Sequence, residues 1–366
     1  MSVETASRTP LYDAHLALGG RMVNFAGFEL PVQYSGVIAE SKAVRQGAGM
    51  FDVSHMARLI FTGSGLPEFL QWLTSNDISK LADGRGQYSL LPNKEGGCVD
   101  DIIVYRIHEN EFRMVVNAAN HEKDVAWMKA RLAESPWASQ IEIQDQTAET
   151  AMIAVQGPTA IEKVAKICAH PDALREAPLF GFQIQTIGGV ETACPRSGYT
   201  GEDGFELICA AADARKLWEA LLQVDVVPCG LGSRDVLRVE AGLPLYGHEL
   251  SDDRSPLEAG LGWVIKKKGD YIGAEHFAAV RESGPKSKLV GIKLESKRVC
   301  QPEMEVFASG SKVGEVSSGV YSPVLDCGIA FAFLNPDCKI GDAVEVDVRG
   351  KREPAVIVNK RFLKKD

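Results

Sequence analysis

No two of the 8 cysteines in this 366-residue sequence form a Cys-x-x-Cys pair; they are scattered as Cys98, Cys168, Cys194, Cys209, Cys229, Cys300, Cys327 and Cys338. That spacing indicates neither a zinc site nor a disulfide framework, and free thiols fit a reducing cytoplasm. No apolar run approaches about 18 residues, and the first ten residues carry neither an apolar secretory core nor an arginine-rich presequence. Membrane insertion and secretion are not expected. Positive charge is in short supply as well: 40 Lys+Arg face 49 Asp+Glu, a net charge of −9, which disfavours nucleic acid as a partner. The local exceptions, Lys266-Lys267-Lys268 and the basic tail from Lys360 to Lys365, read as solvated faces or local docking patches.

Several catalytic signatures are missing too. There is no Gly-x-x-x-x-Gly-Lys-[Ser/Thr] loop to cradle nucleotide phosphates and no Gly-x-Ser-x-Gly elbow. The turns Thr62-Gly-Ser-Gly65 and Gly230-Leu-Gly232 are too short of glycine and context for a dinucleotide site. Asp52, Ser54 and His55 hold the letters of a hydrolase triad within four residues, but triads are assembled by the fold from distant positions. A lone His55 beside an apolar run reads as a satisfied structural group, and the other histidines lack metal-ligand spacing.

What is present is repetition. A strand (58–61), the turn Thr62-Gly-Ser-Gly65 and a helix (66–73) are answered by a strand (153–155), Gln-Gly-Pro and a helix (159–167). Each copy continues into a Gly-Gly hairpin, at Gly96-Gly97 and Gly188-Gly189, and closes with a strand and an amphipathic helix, 112–129 against 205–222. The offset stays at about 91 to 94 residues, which predicts duplicated α+β units enclosing a cleft. Ser233 or Asp235 is expected to cap the helix that follows Gly230. The polar stretch 281–288 reads as a linker, and the short alternating runs of 289–362 as a small all-β barrel or roll.

The segment Ser197-Gly-Tyr-Thr-Gly-Glu-Asp-Gly-Phe-Glu-Leu207 leads glycines and a tyrosine into a strand that carries Glu206. Strand alternation sends Phe205 and Leu207 one way, Glu206 and Ile208 the other. A carboxylate on an apolar strand needs a partner: either an internal arginine, or a ligand edge with two adjacent N–H donors such as the amino-pyrimidinone of a pterin. In Cys98-Val-Asp-Asp-Ile-Ile-Val-Tyr105, Asp101 shares a face with Ile103 and Tyr105, and Asp100 faces the opposite way with Ile102 and Val104. The two cannot share a proton; one is structural and the other looks into the cleft, unless both merely stabilise the Gly-Gly turn. Arg234, near a helix start, could meet a ligand's polar edge or form a surface salt bridge.

Asn24-Phe-Ala-Gly-Phe-Glu-Leu-Pro31, Gly49-Met-Phe-Asp-Val-Ser-His-Met56, Gly96-Gly-x-x-Asp-Asp-Ile-Ile-Val-Tyr105, Val115-Val-Asn-Ala-Ala-Asn120, Gly198-Tyr-Thr-Gly-Glu-Asp-Gly-Phe-Glu206 and Gly230-Leu-Gly-Ser-Arg-Asp235 together resemble the glycine cleavage system T-protein family in order and spacing along nearly the whole chain. Ser318-Gly-Val-Tyr-Ser-Pro323 is similar to that family's final β-domain. Departures are Asp326 where the family has a glycine, Cys300-Gln301 where the family often has a basic residue, and Lys364 where it has a C-terminal arginine.

The resemblance implies a fold of duplicated ferredoxin-like α/β halves around a central folate cleft with a C-terminal β-barrel, a cloverleaf of three subdomains. The folate-binding domain would cover 1–280, with lobes at about 57–135 and 150–225 wrapped by 1–56 and 226–280, and the barrel 286–366. It implies an aminomethyltransferase that takes the carbon from the lipoyl arm of H-protein to tetrahydrofolate, the co-substrate, without metal or nucleotide. Asp101 would be the catalytic aspartate, Glu206 would hold the pterin, Asn117, Tyr88 and Tyr199 would line the cavity, Met56 would pack on the ring and Arg234 would contact the folate. The competing expectations are a tetrahydrofolate-dependent demethylase on the same scaffold and a non-catalytic folate-binding assembly protein. The latter family carries a cysteine in Lys-Gly-Cys-Tyr-Thr-Gly-Gln, whereas Ser197 and Gly198 precede Tyr199 here.

Overall fold

The duplication seen in the sequence is a duplication of strand order. In the computed structural model, which describes residues 6–363, one antiparallel sheet runs Arg85–Pro92, Cys98–His108, Glu111–Val116, Ala57–Gly63, Ile141–Asp145. A second runs Ile184–Ile187, Val190–Ala193, Gly204–Ala210, Thr150–Gln156, then Gly49–Asp52 and Val227–Pro228. The first four strands correspond one to one. Each sheet is built from a hairpin, the strand after it, and the strand that opened the copy. Gly49–Asp52 is an outsider inserted beside Thr150–Gln156, and it brings the segment 53–56 to the second sheet.

Sequence pattern explains the elements. Thr150–Gln156 carries the apolar run Ala151–Val155 and is buried on both faces. The helix Ala214–Gln223 buries Ala214, Leu217, Trp218 and Leu221, the i, i+3, i+4, i+7 stripe of an amphipathic helix. These side chains join Phe205, Leu207, Ile153, Val155 and Met50 in one core, where each fully buried large side chain is worth about 1.5–3 kcal/mol.

By contacts the chain forms two compact units. One comprises Met1–Gln71, Ile78–Tyr88 and Ile102–Arg234; the other Trp72–Asp77, Ser89–Asp101 and Asp235–Asp366. The second unit contains the expected barrel: six strands, Lys288–Leu294, Cys327–Leu334, Ser311–Ser322, Glu305–Ala308, Ala343–Val348 and Lys351–Val358, closed on themselves. Its centre is Ile292, Val306, Val316, Ala330, Ala332, Leu334, Val346 and Ile357, and closure leaves no unpaired edge. Asp326 takes φ 53°, the left-handed region that favours glycine, which explains why a glycine position accepts this residue. Its carboxylate accepts hydrogen bonds from Lys297 Nζ, at 2.7 Å, and Tyr321.

Three local expectations are corrected. The helix after Gly230 begins at Leu231, so Ser233 and Asp235 lie inside it; Ser233 Oγ donates back to the Gly230 carbonyl at 2.8 Å. The expected helix 159–167 is shorter, spanning Ala160–Ala165, and a separate short helix, Pro171–Glu176, follows it. The stretch read as a linker is largely ordered, since the helix Ala274–Ser283 runs through residues 281–283 and a barrel strand starts at Lys288.

In the basic patches Lys267, Lys268 and Arg361 are exposed, as expected, and two lysines are not. Lys266 is half-buried and donates to the Thr74 and Asn76 carbonyls, and Lys360 donates to the Ala259 carbonyl. Lys364 lies outside the described residues. Among the described residues no helix is long and apolar enough to cross a membrane.

Candidate functional site

Glu206 faces as strand alternation predicts, with Phe205 and Leu207 wholly buried on the other side and Ile208 half-exposed on its own. Its residue is 5 % exposed, and its direct partner is a hydroxyl, not an arginine: Ser197 Oγ donates to Glu206 Oε2 at 2.6 Å. Burial pushes the carboxyl above its ordinary range, while the Ser197 bond and the positive charge of Arg234 pull the other way.

The turn that supplies Ser197 and Tyr199 is tied down on several sides. Gln156 Nε2 donates to the Ser197 carbonyl at 2.9 Å and Gln156 Oε1 accepts from Thr200 Oγ1 at 2.9 Å. Arg45 Nη1 reaches both the Thr200 carbonyl and Glu202, each at 2.7 Å, and Arg196 pairs with Asp203. Gly198 is required by the first of these ties, because a Cβ there would sit 1.8 Å from Gln156 Oε1.

Arg234 is half-buried. Its guanidinium carbon lies 4.5 Å from the centroid of the Tyr199 ring, a cation–π contact, and Nη2 is 3.7 Å from the Met56 sulfur. The neighbouring Asp235 pairs with Arg238.

The helix start carrying Arg234 is held by buried Glu40. One carboxylate oxygen accepts from the Tyr34 and Gly36 amides and the other from the Gly230 amide, at 2.8 Å. Gly230 allows this approach, since a Cβ would stand 2.4 Å from the Val32 carbonyl carbon.

Met56 is placed by Arg58, a buried arginine with all five N–H donors used. Nε bonds Thr150 Oγ1, Nη1 bonds the Ser54 and Met56 carbonyls, and Nη2 bonds the Thr147 and Thr150 carbonyls. Burial pushes it down to about 10, which still leaves it charged at neutral pH. Asn117 follows the strand Glu111–Val116 in extended conformation; the register Ala57 to Val116 sets it across from Met56, one step beyond the ladder. Tyr88 is half-buried in the strand Arg85–Pro92.

Six of the seven expected residues therefore belong to the first unit, and Glu206, Arg234, Tyr199 and Met56 converge within it. Asp101 is the last residue of a second-unit segment. It is half-buried, while Asp100 is fully buried with Ile102 and Val104, as the alternation of that strand requires. In the Gly-Gly turn Asn93 Oδ1 accepts from the Gly97 amide at 2.8 Å.

Two features escaped the sequence. His55 was expected to be satisfied, yet its Nδ1 is buried without a hydrogen-bond partner among the described residues, beside the rings of Phe25 and Phe28. Burial first, then the charges of Arg234 and Arg58, push it down to about 3, so the imidazole is neutral at ordinary pH. The pseudo-triad is likewise rewired, Asp52 bonding not His55 but His15 Nε2 at 2.9 Å and Thr9 Oγ1 at 2.6 Å. The only signal for either was the density of polar residues in the apolar segment 49–56.

A deep-set carboxylate with a flat cationic–aromatic–thioether wall beside it can bind a planar heterocycle that presents N–H donors. The family described as "GCVT N-terminal domain" matches residues 11–269, and the "Glycine cleavage T-protein C-terminal barrel domain" matches residues 288–364. The aminomethyltransferase of Exiguobacterium sibiricum is 43 % identical over 366 residues, covering 100 % of this chain and 99 % of that protein. That of Geobacillus kaustophilus is 44 % identical, covering 98 % and 99 %. The crystal structure of glycine cleavage system aminomethyltransferase T from Bartonella henselae superposes with a TM-score of 0.89 at 31 % identity, over 98 % of each chain.

Proposed function

Because the chain belongs to the glycine cleavage T-protein family, whose members are aminomethyltransferases, we propose a division of labour among its site residues for that activity. The substrate is an aminomethyl group carried on the lipoyl arm of H-protein, and its carbon passes to tetrahydrofolate, giving 5,10-methylenetetrahydrofolate, ammonia and dihydrolipoyl H-protein. The reaction belongs to the cytoplasm. Residues 1–280 form the folate-binding part and 286–366 the accessory barrel.

The observation that carries the folate reading is the pairing of buried Glu206, bonded to a single side-chain donor among the described residues, with the Arg234–Tyr199–Met56 wall. A carboxylate offers two parallel acceptors to the two N–H groups of an amino-pyrimidinone edge, and the wall offers dispersion and cation–π contact to the ring face. Asn117 and Tyr88 line the same cavity. Neutral His55 adds no competing charge.

The chemistry turns on one carbon that bears both the lipoyl sulfur and an amine. As either group leaves, positive charge develops on that carbon, and a nearby carboxylate both stabilises the charge and accepts a proton. Asp101 has this role: it is half-open near the start of an apolar strand, whereas its neighbour Asp100 is sealed in the core. Positioning and the exclusion of water complete the task, since water at that carbon would release formaldehyde.

The test mixes the protein with aminomethylated H-protein and tetrahydrofolate and measures ammonia and the folate product. Ammonia with methylenetetrahydrofolate is expected. Methyltetrahydrofolate would assign the chain to demethylation instead, and tetrahydrofolate binding without turnover to a non-catalytic role.

A further inference from the structure

Behind Glu206 stands a second hydrogen bond that the binding role does not by itself require. Tyr105 Oη lies 2.9 Å from Ser197 Oγ, the same hydroxyl that donates to Glu206 Oε2 at 2.6 Å. Tyr105, Ser197 and Glu206 are 1 %, 4 % and 5 % exposed, so water has little access to the chain they form.

The direction of that chain follows from counting hydrogens. An ionised carboxylate only accepts, so Ser197 gives its one hydroxyl hydrogen to Glu206. Ser197 can then only accept from Tyr105, whose phenol must be the donor. Burial and the facing charge of Glu206 push Tyr105 well above its ordinary range, which keeps the phenol hydrogen in place. The tyrosine ring is fixed from behind: a Cβ at Gly86 would come within 2.4 Å of it, and the Phe182 ring packs at 5.4 Å.

We infer that Tyr105 and Ser197 are positioning residues that act through Glu206, fixing the plane of its carboxylate and keeping it an acceptor toward the ligand. The inference rests on Glu206 being the folate contact. The torsion that orients a glutamate carboxyl is broad on its own, and one short bond to Oε2 selects a single plane, leaving the remaining lone pairs for two parallel N–H donors. A protonated Glu206 would place a hydrogen where the ligand presents its own. The groups that face Glu206 are few. From the loop come Ser197 and the Pro195 carbonyl, which accepts from the Glu206 amide; from the neighbouring strand comes apolar Ala154; beyond them are Tyr105 and the charge of Arg234. The Ser197–Tyr105 relay and Arg234 are thus the groups that oppose the desolvation of this carboxylate.

The experiment compares the wild type with Ser197→Ala, Ser197→Thr, Tyr105→Phe and Glu206→Gln. Infrared difference spectra against Glu206→Gln, taken on the full chain without folate, follow protonation of Glu206 directly. The midpoint is expected to rise by about 1 pH unit in Ser197→Ala, a strength typical of one hydrogen bond to a charged group. A smaller rise is expected in Tyr105→Phe, and Ser197→Thr is expected to restore the wild-type value. In the ammonia assay Ser197→Ala should raise KM for tetrahydrofolate more than it lowers kcat, with the increase largest at low pH. An unmoved midpoint in Ser197→Ala overturns the relay. A midpoint that moves while Glu206→Gln binds tetrahydrofolate as tightly as wild type leaves the relay standing and removes Glu206 from the folate site.

Discussion

The guanidinium of Arg234 lies over the Tyr199 ring, 4.5 Å from its centroid, so one side chain both builds the wall of the site and lowers the proton affinity of Glu206. Lysine would keep the charge but lose the flat surface. Arg234→Lys should weaken tetrahydrofolate binding about tenfold, and Arg234→Ala by more, through the lost cation–π contact and the less ionised Glu206. Isothermal titration reads both; equal affinity in wild type and Arg234→Ala would take Arg234 out of the binding site.

Asp101→Asn keeps the size and hydrogen-bonding reach of the side chain and removes its basicity. The variant should fold and bind tetrahydrofolate, with ammonia release lowered roughly a hundredfold to ten-thousandfold. Near-normal turnover would exclude Asp101 from the chemistry.

The buried Asp52 is bonded by His15, Thr9 and the Ser54 amide. Burial alone would raise its carboxyl, but these bonds outweigh it and hold it at about 2 against an ordinary 3.8. A depressed value in the folded state means stability that is present above the unfolded value and lost as pH falls from 3.8 to about 2. Asp52→Asn should cost about 2–3 kcal/mol at pH 7, and its denaturation curve should converge on that of wild type near pH 2. A constant difference across that range would contradict the assignment.

His55 carries the opposite consequence of burial. The unfolded chain takes up a proton near pH 6.5 that the folded one accepts only at about 3. The unfolded state therefore binds more protons in between, and stability falls with pH over that window at roughly 1.4 kcal/mol per pH unit. Wild type should lose stability below pH 6.5 relative to His55→Asn, measured by urea denaturation, and its imidazole should show no NMR titration between pH 5 and 8. Parallel stability profiles would show that His55 charges freely in the fold.

Gly230 sits where a side chain has no room against Val32. Gly230→Ala should cost about 1–3 kcal/mol through forced backbone movement. It should also weaken folate binding, because the displaced backbone leads directly into the helix that bears Arg234. Unchanged affinity would separate the Glu40–Gly230 anchor from the site.

The repeat of strand, turn, helix and Gly-Gly hairpin is a matter of local chemistry: glycine is needed where φ is positive, as at Gly96 and Gly188, and apolar alternation selects a strand face without help from distant residues. For the same reason the opposite faces of Asp100 and Asp101, the exposure pattern around Glu206 and the all-β tail were legible before any coordinates. Partners were not. That Asp52 bonds His15 rather than the adjacent His55, that Glu40 holds the helix of Arg234, and that Ser197 links Tyr105 to Glu206 are meetings across 37, 190, 92 and 9 residues. Alternation tells which way a side chain points, but a hydrogen bond depends on distances of a few tenths of an ångström, and those are set by how helices and sheets pack on one another.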